Sequence, residues 1–146
     1  MKKFKFRLQK VLQFRESIKE EKLRELQKAS LALVEAQNHL EFLEQEFIKG
    51  QISENETLLV SEVYIRSSYC ERLKREVESQ RLEIQKRQEQ VELARNEYFE
   101  ATKECEALLK VKENKHQDYL SYVAKEEEKF LDELVTQRVA RQILES

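Results

Sequence analysis

From position 26 to position 47 the apolar and small residues fall at Leu26, Ala29, Leu33, Ala36, Leu40, Leu43 and Phe47, in alternating steps of three and four. That spacing puts them on one stripe of an α-helix and defines a heptad seam of mixed large and small knobs. Upstream the seam reads Phe4, Leu8, Val11, Arg15, Ile18, Lys22, Leu26. Its last two steps are both four, a stutter that would locally unwind a supercoil. A second, longer run comprises Cys70, Leu73, Val77, Gln80, Ile84, Arg87, Val91, Ala94, Tyr98, Ala101, Cys105 and Leu108, again in strict alternation. Only Gln80 and Arg87 interrupt its apolar character. Polar seam residues of this kind cost stability but can fix register and partner choice. The pattern degrades from Lys110 to Asp118 and resumes as Leu120, Val123, Glu127, Phe130 and Leu134, so a seam change or bend is expected near 112–118.

Between the two runs lies the stretch from Lys49 to Thr57. Gly50 is placed to end the first helix in a left-handed conformation. Ser53 followed by Glu56 fits a capping box at the start of the second. The chain is therefore expected to be all-α: a long antiparallel two-helix coiled-coil hairpin forming a single domain over 1–146. The first helix would cover about 4–48, the corner about 49–57, and the second helix about 54–144. At ~1.5 Å per residue the arms would measure about 67 and 135 Å. The first arm would pair with roughly Leu58 to Ala101. Long helices are marginal without packing, so the apolar stripe left over on the second arm implies a fold-back or a partner.

Composition narrows the fold from the other side. The 146 residues include no Pro, no Trp and one Gly, with 40% hydrophobic and 38% charged residues. A chain with so few turn formers can reverse only once or twice, which excludes α/β folds, sandwiches and barrels. The periodic apolar residues argue against disorder. A formal net charge of −2 argues against nucleic-acid binding as the main role. Charge is nevertheless segregated: residues 1–24 carry nine basic and three acidic side chains, and residues 35–62 carry one basic and seven acidic.

Little of this supports chemistry. Cys70 and Cys105 are five heptads apart, about 52 Å along one helix at ~1.5 Å per residue, far beyond the ~7 Å that a disulfide allows. They read as small core residues in a reducing cytosol. His39 and His116 lack ligand-type neighbours at i+3 or i+4 and read as helix-face residues. One Gly cannot build a phosphate-binding loop. The carboxylates are spread over rod surface, without a concavity to perturb them. No catalytic, metal-binding or cofactor-binding residue is expected, and no cofactor; the chain does not read as an enzyme. No apolar run reaches ~18 residues, and the basic N-terminus lacks the apolar core of a secretory signal, so a soluble cytoplasmic protein without membrane insertion is expected.

Three stretches exceed what a solvated rod requires. From Phe4 to Arg15, three Phe and three aliphatic residues alternate with basic and amide side chains. On a helix they cover more than one stripe, which suits coiled-coil core, a docking surface, or a membrane-surface helix. From Phe130 to Arg141 the apolar residues Phe130, Leu131, Leu134, Val135 and Val139 are again wider than a two-helix seam. In the third, Tyr69 flanks the seam that continues through Leu73 and Val77, as rim packing or as a contact site.

At these three places the chain resembles the flagellar export protein FliJ family. Lys3-Phe4-x-Phe6-Arg7-Leu8-Gln9-x-Val11-Leu12-x-x-Arg15-Glu16 is similar to that family's N-terminal signature, and Leu131-Asp132-Glu133-Leu134-x-x-x-Arg138 to its C-terminal one. The resemblance implies a non-enzymatic soluble part of the flagellar type III export apparatus, similar to the stalk of rotary ATPases. Such a stalk docks into the hexameric export ATPase ring, promotes its assembly, contacts the cytoplasmic domain of the export gate and escorts export chaperones. By position, the resemblance implies ring contact for Phe4, Phe6, Leu8, Val11, Leu12, Arg15, Leu131, Leu134, Arg138 and Arg141. It implies gate contact for Tyr69, Leu73 and Val77, and a cytoplasmic location peripheral to the membrane-bound apparatus. The alternatives are a homodimeric coiled-coil spacer and the equivalent stalk of a virulence type III secretion system.

Overall fold

A computed structural model describes residues 3–51 and 57–145. Among them the regular structure is two helices, α1 over Gln9–Gly50 with 42 residues and α2 over Val60–Glu145 with 86. The shorter helix precedes the longer one and the two pack against each other, as the heptad runs require. The chain divides into two compact units, one built from 18–101 and one from 1–17 with 102–146.

In the unit built from 18–101, positions rise along α1 as their partners fall along α2, so the pairing is antiparallel. Lys22 Nζ meets Glu97 Oε2 at 3.2 Å, Arg81 meets Glu44 at 3.4 Å, and the Tyr69 hydroxyl meets Glu46 at 3.5 Å. Between the helices Ala36, Leu43, Leu73, Val77, Ile84, Val91 and Ala101 are buried. Leu40, Phe47 and Tyr69 pack against the cluster of Leu43, Leu73 and Val77. All seven expected seam residues from Leu26 to Phe47 are at least half-buried. Gln80 and Arg87 also turn inward. Gln80 Nε2 donates to the carbonyl of Ala36 at 3.0 Å, and Arg87 Nη1 donates to that of Ala32 at 2.7 Å.

In the other unit the first residues of the chain pack along α2. Leu12, 1% exposed, and Cys105 are buried. Arg15 Nη1 donates to Glu104 Oε2 at 2.6 Å. The Phe4 ring lies 4.9 Å from that of His116 and 5.6 Å from that of Tyr119. Pairing therefore reaches well past Ala101, where sequence alone would have ended it. The cause is that Gly50, at the end of α1, faces Cys70, so about ten residues of α2 precede the pairing. Residues 57–59 are not helical, and Val63 N–H makes the first helical bond to Leu59 C=O at 3.0 Å. The Glu62 carboxylate accepts the Leu59 N–H at 3.5 Å, the reach-back half of a capping box. Ser53 and Glu56, the expected box, lie outside the described residues.

Three further expectations change. Gly50 does not adopt positive φ and sits in the last turn of α1. What its missing side chain provides is room: a Cβ there would lie 3.3 Å from Cys70 Sγ and 3.5 Å from the Tyr69 ring, and Cys70 Sγ donates to the Gly50 carbonyl at 3.2 Å. The α1 seam also needs no stutter. Leu12 is buried and Val11 exposed, while Ile18 and Lys19 are both half-buried, so an alternation of three and four runs from Leu26 through Lys22, Lys19, Arg15 and Leu12 to Leu8. Long basic side chains can hold an inward position because their stems bury while their charges reach water. Finally, α2 continues without interruption through 112–118. Beyond it Tyr119 is half-buried in place of the exposed Leu120, while Val123 is half-buried as the apolar pattern implied.

Candidate partner-binding surfaces

Lys3, Lys5 and Arg7 alternate with Phe4, Phe6 and Leu8, a period of two that suits extended chain better than helix. The structure follows that period. Residues 3–6 are not helical, Gln9 N–H donates to the Phe6 carbonyl at 3.1 Å, and α1 opens at Gln9 rather than near Phe4. The two phenylalanines are half-buried and the three cations exposed. Phe4 helps to line a cleft of about 750 Å³ with Tyr119, Tyr122, Val123 and Phe130, with Lys3, Lys5, Glu126 and Glu127 on its walls.

Much of the N-terminal candidate set is thus engaged within the chain. Leu12 is core, Arg15 is paired with Glu104, and Phe4 rests on the aromatic rings of α2. Leu8 and Val11 remain exposed. So does Phe14, at 62%, one of the three phenylalanines that made this stretch wider than one stripe but not one of the residues for which contact was implied.

The C-terminal candidates are different. From residue 124 to residue 145 every side chain is exposed. Leu131 is 60% exposed, and Phe130, Leu134, Val135 and Val139 are exposed beside it. Leu131, Leu134, Val135, Gln137, Arg138 and Arg141 line a shallow depression of about 430 Å³. Neither Arg138 nor Arg141 has an ion-pair partner among the described residues. Local bonds accompany this stretch, with Lys129 near Glu126 at 3.8 Å and the Thr136 hydroxyl donating to the Asp132 carbonyl at 2.8 Å.

On α2 near Gly50, Leu73 and Val77 are buried in the helix–helix core and offer nothing to a partner in this packing. Tyr69 is half-buried, with its hydroxyl near Glu46 and the Arg72 guanidinium 5.3 Å from its ring centre. Clefts of about 300 and 350 Å³ flank Phe47 there, walled by Arg66, Glu71, Lys74, Glu78 and Arg81.

The hydrogen bond that Lys22 donates to Glu97, with the nearby charge of Glu25, raises the Lys22 pKa above the ordinary 10.5. Among the described residues no three His, Cys, Asp or Glu side chains converge as a metal site would need. No described helix is long and apolar enough to cross a membrane.

The sequence profile of the family described as Flagellar FliJ protein matches residues 4–143, nearly the whole chain. The chain belongs to the FliJ family. It is accordingly a flagellar export component, and both terminal stretches described above lie inside the matched region. No curated protein and no solved structure matches it.

Proposed function

We propose that this FliJ-family chain is a non-enzymatic stalk of the flagellar type III export apparatus. It docks into the hexameric export ATPase ring, promotes ring assembly, and links the ring to the cytoplasmic domain of the export gate and to export chaperones. The observation that carries the reading is the exposed apolar stretch from Phe130 to Val139, with Arg138 and Arg141, which have no ion-pair partner among the described residues, beside it. A face with large apolar side chains and guanidinium forks is the composition of a protein interface, with Leu131 and Leu134 as anchors and the arginines reaching partner carboxylates. Leu8 and Val11 supply further exposed apolar surface. Phe4, Phe6, Leu12 and Arg15 serve the same site indirectly, by holding the N-terminal segment on α2. At the gate-contact position Tyr69 is the accessible member, with Leu73 and Val77 supporting it from the core.

The stalk performs no chemistry. It binds assembled ring subunits more tightly than separate ones, and that difference in affinity drives assembly. It works in the cytoplasm, peripheral to the membrane.

The test is the hydrolysis rate of the cognate export ATPase titrated with wild-type protein and with a Leu8→Asp, Leu134→Asp variant, circular dichroism confirming that both stay helical. Wild type should raise the rate and the folded variant should not. If wild type neither raises the rate nor binds the ring, and sediments as a dimer, the protein is a homodimeric spacer instead.

A further inference from the structure

The hydrogen bonds of Gln80 and Arg87 bear on a question that heptad pairing leaves open. A seam of near-uniform apolar knobs keeps its contacts when one helix slides by seven residues, or when a second copy replaces the intended partner. We infer that Gln80 and Arg87 form a register lock that commits α2 to α1, excluding slippage towards Gly50 and parallel pairing with a second copy of α2.

The geometry is specific. Ala32 and Ala36 lie four residues apart on α1, one helical turn, where their methyl groups leave the backbone carbonyls open to the facing helix. Gln80 and Arg87, two turns apart on α2, each donate to one of those carbonyls, at 3.0 and 2.7 Å. Arg87 Nε also donates to Glu83 Oε1 at 3.2 Å, so its charge is paired as well as hydrogen-bonded. Slid one heptad towards Gly50, Gln80 would come over Leu43 and Arg87 over His39, whereas the opposite slip would set Gln80 at Ala29 and Arg87 at Glu25 and is not opposed. The branched Leu43 covers the backbone, and a half-buried donor without an acceptor is costly. In a parallel, in-register pair of α2 helices, Arg87 would face Arg87 and Gln80 would face Gln80, with like charges opposed in the seam and no free carbonyl for either. The lock thus acts through what it forbids, at the cost of two apolar contacts.

Position 50 supplies a reporter of register. A Cβ at Gly50 falls 3.3 Å from Cys70 Sγ, close enough for a disulfide when the helices hold their native alignment. The experiment uses the full chain carrying Gly50→Cys and Cys105→Ala, with and without Gln80→Leu and Arg87→Leu. With the lock intact, mild oxidation should give a nearly complete intrachain disulfide, and the reduced protein should sediment as a monomer. With both leucines, the thermal midpoint should rise, the intrachain yield should fall by more than half, and a species of doubled mass should appear. Arg87→Lys, which keeps a donor and a charge, should retain most of the intrachain yield. The inference is overturned if the leucine variant keeps the intrachain yield and the monomer mass, if its thermal midpoint falls, or if the reduced parent is already a dimer.

Discussion

Two stretches of α2 have similar helix-forming residues and opposite fates. Between Cys70 and Cys105 every third or fourth side chain is covered by α1 or by the N-terminal segment, six of them buried. Between residues 124 and 145 none is covered, although Phe130, Leu131, Leu134, Val135 and Val139 offer as much apolar surface. Apolar residues therefore meet different surroundings in the two places: in the first they hold the fold, and in the second they face solvent. Hydrophobic content alone does not distinguish covered from exposed surface.

That contrast can be broken most decisively by truncating one leucine in each stretch. Leu43→Ala, in the core cluster with Leu73 and Val77, should cost about 2–4 kcal/mol in urea unfolding followed by circular dichroism. Leu131→Ala should stay within about 0.5 kcal/mol of wild type in the same assay, because its surroundings are already water. Equal costs would show that the C-terminal stretch has a partner within the chain.

At Gly50 the expected effect is smaller and depends on size. Gly50→Leu drives a branched side chain into Cys70 and Tyr69 and should cost about 1–3 kcal/mol. Gly50→Ala should be near neutral, since the helix preference of Ala over Gly, about 1 kcal/mol, offsets a contact that Cys70 relieves by moving slightly. The thermal midpoints of the two variants decide it.

Ion pairs should matter least. Arg15→Ala removes the bond to Glu104, but both side chains are well exposed, so its cost should stay below about 1 kcal/mol and shrink in high salt. Lys22 gives the pH counterpart. Its pKa is raised in the folded chain, so its contribution is fully present below the ordinary lysine value and is lost as pH rises through the folded value, above 10.5. A stability profile of wild type against Lys22→Met should converge only in that alkaline range.

The heptad runs made two helices, their order and most of their core legible in advance, because the stripe from Leu26 to Phe47 and that from Cys70 to Leu108 each admit one helical face. Three features lay beyond that logic. The extended start at Phe4 and Phe6 was written in a period of two, but six residues are too short to outweigh a helical run downstream. Leu12 rather than Val11 is core because the seam passes through Arg15 and Lys22, where apolar periodicity gives no guide to which of two adjacent apolar residues faces inward. The role of Gly50 is spatial: nothing in the chain near position 50 announces that Cys70, 20 residues later, will need the room. Of the candidate surfaces, the C-terminal one was visible as an excess of apolar width, whereas the burial of Leu73 and Val77 follows from the same periodicity that had put them beside Tyr69.

The antiparallel pairing orders the contacts by the length of chain each must close. Cys70 meets Gly50 across 20 residues, Arg87 meets Ala32 across 55, Lys22 meets Glu97 across 75 and Arg15 meets Glu104 across 89. Loop closure grows slowly dearer with length, and each inner contact shortens the loop left for the next. Folding then runs as a zipper from Gly50 outward, with the basic first residues captured last. Run in reverse, the same sequence frees those residues first, so the earliest opening of this protein exposes Phe4, Leu12 and Arg15 while the inner helix pairing is still intact.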